Sequence, residues 1–238
     1  MTDDCNLEER SGHREIEVTT PLLVGEIEVT RDLWRRIMMR TPPGTDRCGE
    51  TCPVSSVTWV EAVQFANALS EHDGLRPCYR IRKGTVRWRG GSTCEGYRLP
   101  TPAEWEHAAR AGVDTRFAGS HEVGEVAWWV GNSHDQPHPV ALLKPNGFGL
   151  YDMSGNVQEW VWGNRRFMTT SDAEGVRPRR VRINDGFSGE AFVESHEIRG
   201  GSFTDPRPHV NRIIYAEPTT RWRSNGLRLV RFREGCEE

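Results

Sequence analysis

Two carboxylates in the middle of the chain, Asp152 and Glu159, have types and a spacing that suit a metal site. They lie in residues 147–160, where aromatic residues are interspersed among glycines. Glycine marks positions where the backbone turns or closely approaches another segment. Because the stretch fits neither an amphipathic helix nor an alternating strand, we predict an ordered loop.

Calcium is the first candidate for the group that this loop holds. Calcium prefers oxygen ligands, and a wrapping loop offers the Asp152 and Glu159 carboxylates together with backbone carbonyls at Gly155 and Val157. The stretch lacks the acidic density of an EF-hand. The alternative is that both carboxylates accept backbone N–H bonds in an irregular turn, and spacing alone leaves both interpretations open.

The first elements that must position this loop are short strands and two helices. Residues 16–30 alternate apolar and polar side chains around a proline bend, which predicts two short strands. Thr30 is a capping residue for a helix over residues 31–40. Thr58 and Glu61 form a capping box for a second helix that ends near His72. Its predicted core face consists of Ala62, Val63, Phe65, Ala66 and Leu69.

A third helix has the strongest local signals. Thr101 is the cap, Pro102 the first helical residue, Glu104 the reciprocal cap partner and Gly112 the stop. One face of this helix is predicted to point into the core through Trp105, Ala108 and Ala109.

Two further segments carry many arginines. Residues 78–97 are predicted to form a hairpin. Residues 164–190 combine six arginines with Gly, Asp, Ser and Thr and show no apolar period. We interpret this second segment as a solvated surface insertion, and the alternative is an anion-binding or docking patch.

Composition excludes several classes of protein. A net charge of −3 and a pI near 6.3 argue against nucleic-acid binding and against attraction to an anionic membrane. The N-terminus is acidic and has no apolar signal region, and no stretch reaches the length of a membrane span. These features predict a cytoplasmic protein without membrane partners.

The cysteines leave three states open. Cys48 and Cys52, and Cys78 and Cys94, form two sequence-local pairs, while Cys5 and Cys236 lie near the termini. Reduced thiols are the expectation for a cytoplasmic protein, with disulfides next. Zinc is the third alternative, although the spacing lacks the paired short knuckles of a zinc ribbon.

The central stretch also resembles a known family signature. Residues 149–160 read Gly-Leu-Tyr-Asp-Met-Ser-Gly-Asn-Val-Gln-Glu-Trp and look like the signature of the formylglycine-generating-enzyme family, also called the sulfatase-modifying-factor family. Further blocks follow the family order at residues 24–30, 97–110, 199–203 and 226–230.

The resemblance implies the fold and the domain limits. We expect an α+β, C-type-lectin-like domain that is rich in loops, with few short helices and irregular antiparallel sheets. It would cover residues 14–233, between an N-terminal tail over 1–13 and a C-terminal tail over 234–238. The resemblance also implies calcium at the positions that match family ligands, which are Asp152, Gly155, Val157 and Glu159.

The family's oxidase activity requires two copper-binding cysteines, and their matching positions here are Asp205 and Val210. Neither side chain supplies the thiolate that Cu(I) prefers, so we expect no copper, no formylglycine generation and no catalytic residue. The alternative is a metal-dependent oxidoreductase of another family branch, with Asp205, His209 or Tyr215 as acid, base or ligand.

The segment over residues 202–226 remains as a recognition surface. In the family it borders a cleft, and its mixture of aromatic, arginine and small polar residues is typical of such surfaces. The candidate ligand-binding residues are Phe203, Thr204, Asp205, Arg207, His209, Asn211, Tyr215, Thr220 and Trp222. Arg212 and Arg221 are expected to be structural and to pair with carboxylates or carbonyls.

Together these features predict a binding module. A calcium-stabilised scaffold would present residues 202–226 to a protein or other ligand through the C-terminal cleft. The layout also resembles the variable proteins of diversity-generating retroelements, whose ligand-binding residues fall in this segment, so a retroelement would be one source of diversity here.

Overall fold

The computed structural model describes residues 21–44, 48–82, 85–168 and 192–233, without the side chains of residues 165–168 and 192–193. Its helices are α1 (Arg31–Met38), α2 (Trp59–His72), α3 (Pro102–Arg110) and α4 (Val123–Val126). Its strands are β1 (Leu22–Val24), β2 (Tyr79–Arg82), β3 (Thr85–Trp88), β4 (Tyr97–Arg98), β5 (Ala127–Trp128), β6 (Ser154–Gly155), β7 (Gln158–Met168), β8 (Phe192–Arg199), β9 (Ile213–Ala216), β10 (Asn225–Gly226) and β11 (Val230–Phe232). The predicted α+β class, with few helices and small sheets, is confirmed.

The three predicted helices form because their first turns are capped. Thr30 accepts a hydrogen bond from the Leu33 amide at the start of α1. Both predicted capping boxes are present, with Thr58 and Glu61 at α2 and Thr101 and Glu104 at α3. No helix in the described ranges is long and apolar enough to span a bilayer.

Two sheets position the central loop. The larger has the strand order β10-β7-β8-β9, and the smaller has the order β1-β11-β4. Strand β7 leaves the loop at Gln158, and its neighbours place Gly226 on one side of Glu159 and Arg199 on the other. Residue 159 is therefore held at the centre of the larger sheet.

The predicted strand pair in residues 16–30 is only partly formed. Leu22–Val24 pairs with β11, but residues 25–29 contain no strand. The alternation there does not follow a sheet, because the Gly25 amide bonds to Leu229 and the Glu28 side chain is buried at 1% exposure. The other predicted strand, before Pro21, lies outside the described residues.

The cysteine expectation is corrected by the structure. Reduced thiols are the expectation for a cytoplasmic protein, but Cys48 bonds to Cys52 and Cys78 bonds to Cys94. In each pair the Cα atoms are 5.8 Å apart, which is the separation that a disulfide requires. The second bridge ties the loop before β2 to the turn before β4.

The core has two parts. The larger is built around α2, whose predicted face is buried at Ala62, Val63, Phe65 and Ala66 while Leu69 packs against it. The smaller contains the predicted face of α3 together with Met153, Val161 and Val210. The central loop contributes Trp160 to the larger part and Leu150 and Met153 to the smaller part.

The arginine-rich insertion departs from the prediction at its edges. Strand β7 continues through residues 164–168 and pairs with β8 over residues 192–196. These flanks are therefore regular antiparallel sheet, and residues 169–191 lie outside the described residues.

Candidate functional site

Glu159 lies at the centre of a buried polar cluster. Its Oε2 atom accepts a hydrogen bond of 2.6 Å from the Trp105 indole of α3. Its Oε1 atom accepts one of 2.9 Å from Arg228 Nε, and the Arg228 and Glu159 side chains are each 1% exposed. Both oxygens of this buried carboxylate therefore have a donor, one neutral and one charged.

Arg228 connects three distant segments of the chain at this cluster. Besides Glu159 it donates to the Gly25 carbonyl at 2.8 Å and to the Tyr151 carbonyl at 2.7 Å. Arg228 is not among the predicted site residues. Its only signal in the sequence is its position in the family block at residues 226–230, which does not identify it as a partner of Glu159.

Asp152 is next to this pair and is incompletely satisfied. Its backbone is in the left-handed region at φ 57°, and its Oδ2 atom accepts a hydrogen bond of 2.8 Å from the Ala141 amide. Its buried Oδ1 atom has no hydrogen-bond partner among the described residues. Burial raises the pKa of Asp152, and the charge of Glu159 adds to the effect.

A third carboxylate, Glu28, completes the cluster. It accepts hydrogen bonds from the Val157 amide at 2.9 Å and from the Asn156 side chain at 2.8 Å. Burial raises the pKa of Glu28 well above its ordinary value, with further contributions from Asp152 and Glu159. Sequence reasoning missed Glu28 because an alternating pattern places such a residue on a solvent face.

One oxygen atom in this cluster is left for a divalent cation, because both oxygens of Glu28 and both oxygens of Glu159 already accept hydrogen bonds. Three buried carboxylates lie near the Arg228 guanidinium, and Asp152 Oδ1 has no donor among the described residues. Gly155 is required locally, because it has φ 79° and a Cβ atom there would overlap the Trp128 carbonyl. No three His, Cys, Asp or Glu side chains in the described ranges are arranged around a common metal position. A calcium ion would therefore need the predicted carbonyls of Gly155 and Val157 in addition to carboxylates.

The two positions that match the copper ligands are structural. Asp205 is 7% exposed, accepts from the Ser202 amide at 3.0 Å and pairs with Arg212 at 2.6 Å. Val210 is 1% exposed and packs in the smaller core. Phe203 is also buried, with its carbonyl accepting from the Ser133 hydroxyl at 2.8 Å. The expectation that Arg212 pairs with a carboxylate is confirmed.

The other predicted ligand-binding residues reach solvent. Arg207, Asn211 and Trp222 are exposed. The half-buried members are Thr204, His209, Tyr215 and Thr220. The structure thus divides the predicted set into buried anchors and an accessible group.

The two residues that flank Trp222 are anchored by their side chains. Arg221 donates to the Ser56 carbonyl and pairs with Glu61 at 2.9 Å, as its predicted structural role requires. Arg223 forms an ion pair with Asp135, and its guanidinium lies 5.1 Å from the centre of the Phe203 ring. The indole between these two anchored residues is 42% exposed.

Two curated proteins with different names are similar to this chain in sequence. The chain is 35% identical over 187 residues to the chaperone protein LppX of Paenibacillus barcinonensis, covering 64% of this chain and 66% of that protein. It is 34% identical over 185 residues to the formylglycine-generating enzyme of Thermomonospora curvata, covering 70% of this chain and 50% of that enzyme. The chain thus spans between half and two thirds of the length of these relatives.

Two solved structures are similar to this chain over most of its length. The Treponema denticola variable protein 1 superposes with a TM-score of 0.70 at 30% identity, covering 89% of this chain and 84% of the other. CarF superposes with a TM-score of 0.69 at 28% identity, covering 90% and 87%. The sequence model described as the sulfatase-modifying factor enzyme 1-like domain matches residues 2–233, and the chain therefore belongs to that family.

Proposed function

We propose that the chain is a non-catalytic recognition module, stabilised by calcium, whose accessible residues within 202–226 bind a protein or other ligand. The observation that carries this proposal is the role of Asp205 and Val210. Both are built into the core as a salt-bridged carboxylate and an apolar side chain.

The chemistry of copper supports the non-catalytic part. Cu(I) is held by soft thiolates, and neither a carboxylate nor an isopropyl group replaces them. All four cysteines in the described ranges are used in disulfides. Cys5 and Cys236 lie outside those ranges. A copper site of the kind that formylglycine generation requires is thus missing its ligands at both matching positions.

The position of Trp222 supports the recognition part. Binding energy at interfaces concentrates in a few aromatic and arginine anchors, and ordering a side chain on binding costs free energy. The ion pairs of Arg221 and Arg223 anchor the residues on both sides of Trp222, so part of the ordering of this segment precedes binding. A half-exposed indole held in this way is suited to enter a pocket of a partner.

Calcium in the buried cluster would also stabilise the recognition surface. An ion at Asp152 and Glu159 would offset the excess negative charge of the buried cluster. The cluster lies under residues 202–226, because the Phe203 amide bonds to the Asn156 carbonyl at 2.7 Å and Gln158 pairs with Asn225 across the β7 and β10 strands. Its order therefore determines the order of the recognition surface.

Similarity to a variable protein suggests how this surface acquires its ligand. In a protein diversified by a retroelement, a near-repeat of the coding segment for residues 202–226 would lie beside a reverse transcriptase gene. Sequencing the locus tests this directly, and a locus with neither feature would remove the retroelement from the proposal while leaving the recognition surface in place.

The binding test compares two exposed aromatic residues. Partners are captured from an extract of the source organism with the immobilised protein and identified, and the purified partner is then titrated by interferometry. Trp222→Ala should weaken binding by about thirtyfold, the loss of a typical anchor. Phe148→Ala is the matched control, since Phe148 is 54% exposed but lies in the central loop. Equal affinities for the two variants would exclude the proposed surface.

A further inference from the structure

A polar pocket of about 290 Å³ lies beside the recognition surface. It is formed by the end of α3, the loop that follows it and the segment before β9. Its polar lining residues are Arg110, Asp114, Thr115, Arg116, His121 and Asn211. Nearly all of these side chains are hydrogen-bond donors, and three of them carry or can take a positive charge.

Core packing fixes the two walls of this pocket against each other. The Val210 amide donates to the Arg116 carbonyl at 3.2 Å, while the Val210 side chain is buried in the smaller core. The His209 ring lies edge-on to buried Phe117, with ring centres 5.1 Å apart. The segment over residues 207–212 is therefore held at a fixed position beside Arg116.

The pocket has more positive than negative charge around it. Arg116 and Arg207 are exposed, and neither has a carboxylate partner within the part of the chain that the structure describes. Arg212 forms an ion pair with Asp205, and Arg110 forms ion pairs with both Glu106 and Asp114. This positive charge also acts on His209. Burial lowers the pKa of His209, and the charges of Arg116, Arg207 and Arg212 lower it further.

We infer that this pocket binds a tetrahedral oxyanion, a phosphate or sulfate group carried by the ligand of the recognition surface. This inference rests on the proposed function and names the chemistry of the ligand. Guanidinium groups match such oxyanions with paired hydrogen bonds, and Arg116 lines the pocket with donors that are free for this among the described residues. Thr115 and Asn211 supply neutral donors to the remaining oxygens.

The Asp114 carboxylate competes with an entering anion for the Arg110 guanidinium. Its fully exposed carboxylate holds Arg110 Nη1 at 2.9 Å. An exposed ion pair contributes little stability, so an entering oxyanion can take its place. Removing the Asp114 charge should consequently increase affinity for the anion, an outcome that damage to the fold would not produce.

The test uses inorganic phosphate and inorganic sulfate as probes, titrated at constant ionic strength against chloride. Binding is followed by the NMR signals of the His209 and His121 rings. The wild type should show saturable shifts. Arg116→Gln should bind about tenfold more weakly or worse, as expected for lost charge-assisted hydrogen bonds. Asp114→Asn should bind about threefold more tightly.

The control variant is Arg87→Gln, an exposed arginine on β3 that does not line the pocket. Its affinity should equal that of the wild type. Shifts that chloride reproduces, or equal affinities for Arg116→Gln and Arg87→Gln, would overturn the inference. The stronger of the two probes indicates whether the ligand carries a phosphate or a sulfate group.

This test is separable from the test of the recognition surface. Trp222→Ala should leave phosphate and sulfate binding unchanged, because Trp222 does not line the pocket. If anion binding fails while Trp222→Ala still loses its partner, the inference is wrong and the proposed function stands. If the anion binds and the partner is indifferent to Trp222, the proposed recognition surface is wrong.

Discussion

Arg228 and Glu159 form an ion pair in which each side chain is 1% exposed and the Nη2 and Oε1 atoms are 2.9 Å apart. A buried ion pair adds little net stability, because removing both charges from water is costly. Its role here is to position segments of the chain. The same guanidinium holds the Gly25 and Tyr151 carbonyls, so one side chain fixes the N-terminal segment, the central loop and β7 relative to one another.

The first prediction concerns the loss of that guanidinium. Arg228→Leu should lower the free energy of unfolding by about 3–5 kcal/mol, because it leaves Glu159 buried without its charged partner. Urea denaturation measures the change. Arg223→Leu removes an exposed pair with Asp135 and should cost less than about 1 kcal/mol. Similar losses for both variants would show that burial of the pair does not decide the effect.

The second prediction concerns calcium. Excess calcium at about one hundred times its dissociation constant should stabilise the wild type by about 2.7 kcal/mol relative to a chelator. Asp152→Asn should abolish this response. In chelator, Asp152→Asn should be more stable than the wild type by about 1 kcal/mol, because it removes a buried charge whose Oδ1 atom has no donor in the described structure.

The control for this experiment is Asp135→Asn, which removes an exposed carboxylate. It should keep the full calcium response. Thermal unfolding monitored by circular dichroism in calcium and in chelator measures all three proteins. A wild type whose melting temperature is the same in both buffers would rule out calcium as the stabilising group.

The helices were predictable because their signals are local. Thr58 and Glu61, and likewise Thr101 and Glu104, are three residues apart, and each pair satisfies the backbone groups of a single turn. The first turn of a helix therefore depends on a few neighbouring residues. Tertiary contacts decide only how far the helix continues, as at α1, which ends at Met38 rather than at Arg40.

The buried cluster was only half predictable because its partners are distant in sequence. Glu28 contacts the Val157 amide across 129 residues, and no local pattern distinguishes it from the exposed glutamates of an alternating strand. The same reason applies to Phe203 and Asp205. Their types suggested a recognition surface, whereas Ser133 and Arg212 hold them in the interior.

The third prediction concerns the disulfides. Peptide mapping without reduction should recover Cys48 linked to Cys52 and Cys78 linked to Cys94. Replacing Cys78 and Cys94 by serine should lower the free energy of unfolding by about 3 kcal/mol, and replacing Cys48 and Cys52 by about 2 kcal/mol, since the longer loop loses more entropy on closure. A larger loss for the shorter loop would contradict this order.

The fourth prediction concerns pH and His196. This residue is buried on β8, with its ring stacked on Trp59 at a centre distance of 3.7 Å. Burial lowers its pKa from 6.5 to about 4, against smaller opposing contributions that include a hydrogen bond to the Gly163 backbone. As the pH falls below 6.5, His196 binds a proton in the unfolded chain but not in the folded chain. The free energy of unfolding therefore decreases until the pH reaches about 4.

Between about pH 7 and about pH 5, His196 alone should therefore cost the wild type about 2 kcal/mol. Glu28 and Asp152 act in the opposite direction, because carboxyls with a raised pKa add stability as the pH falls. The measurement therefore compares how steeply the unfolding free energy of the wild type and of a His196 variant depends on pH. His196→Phe keeps the stack on Trp59, loses the hydrogen bond to Gly163 and retains both carboxyls, so its unfolding free energy should be lower near neutral pH but should decline less on acidification. Parallel pH profiles for the two proteins would mean that His196 takes up its proton equally in the folded and unfolded chains.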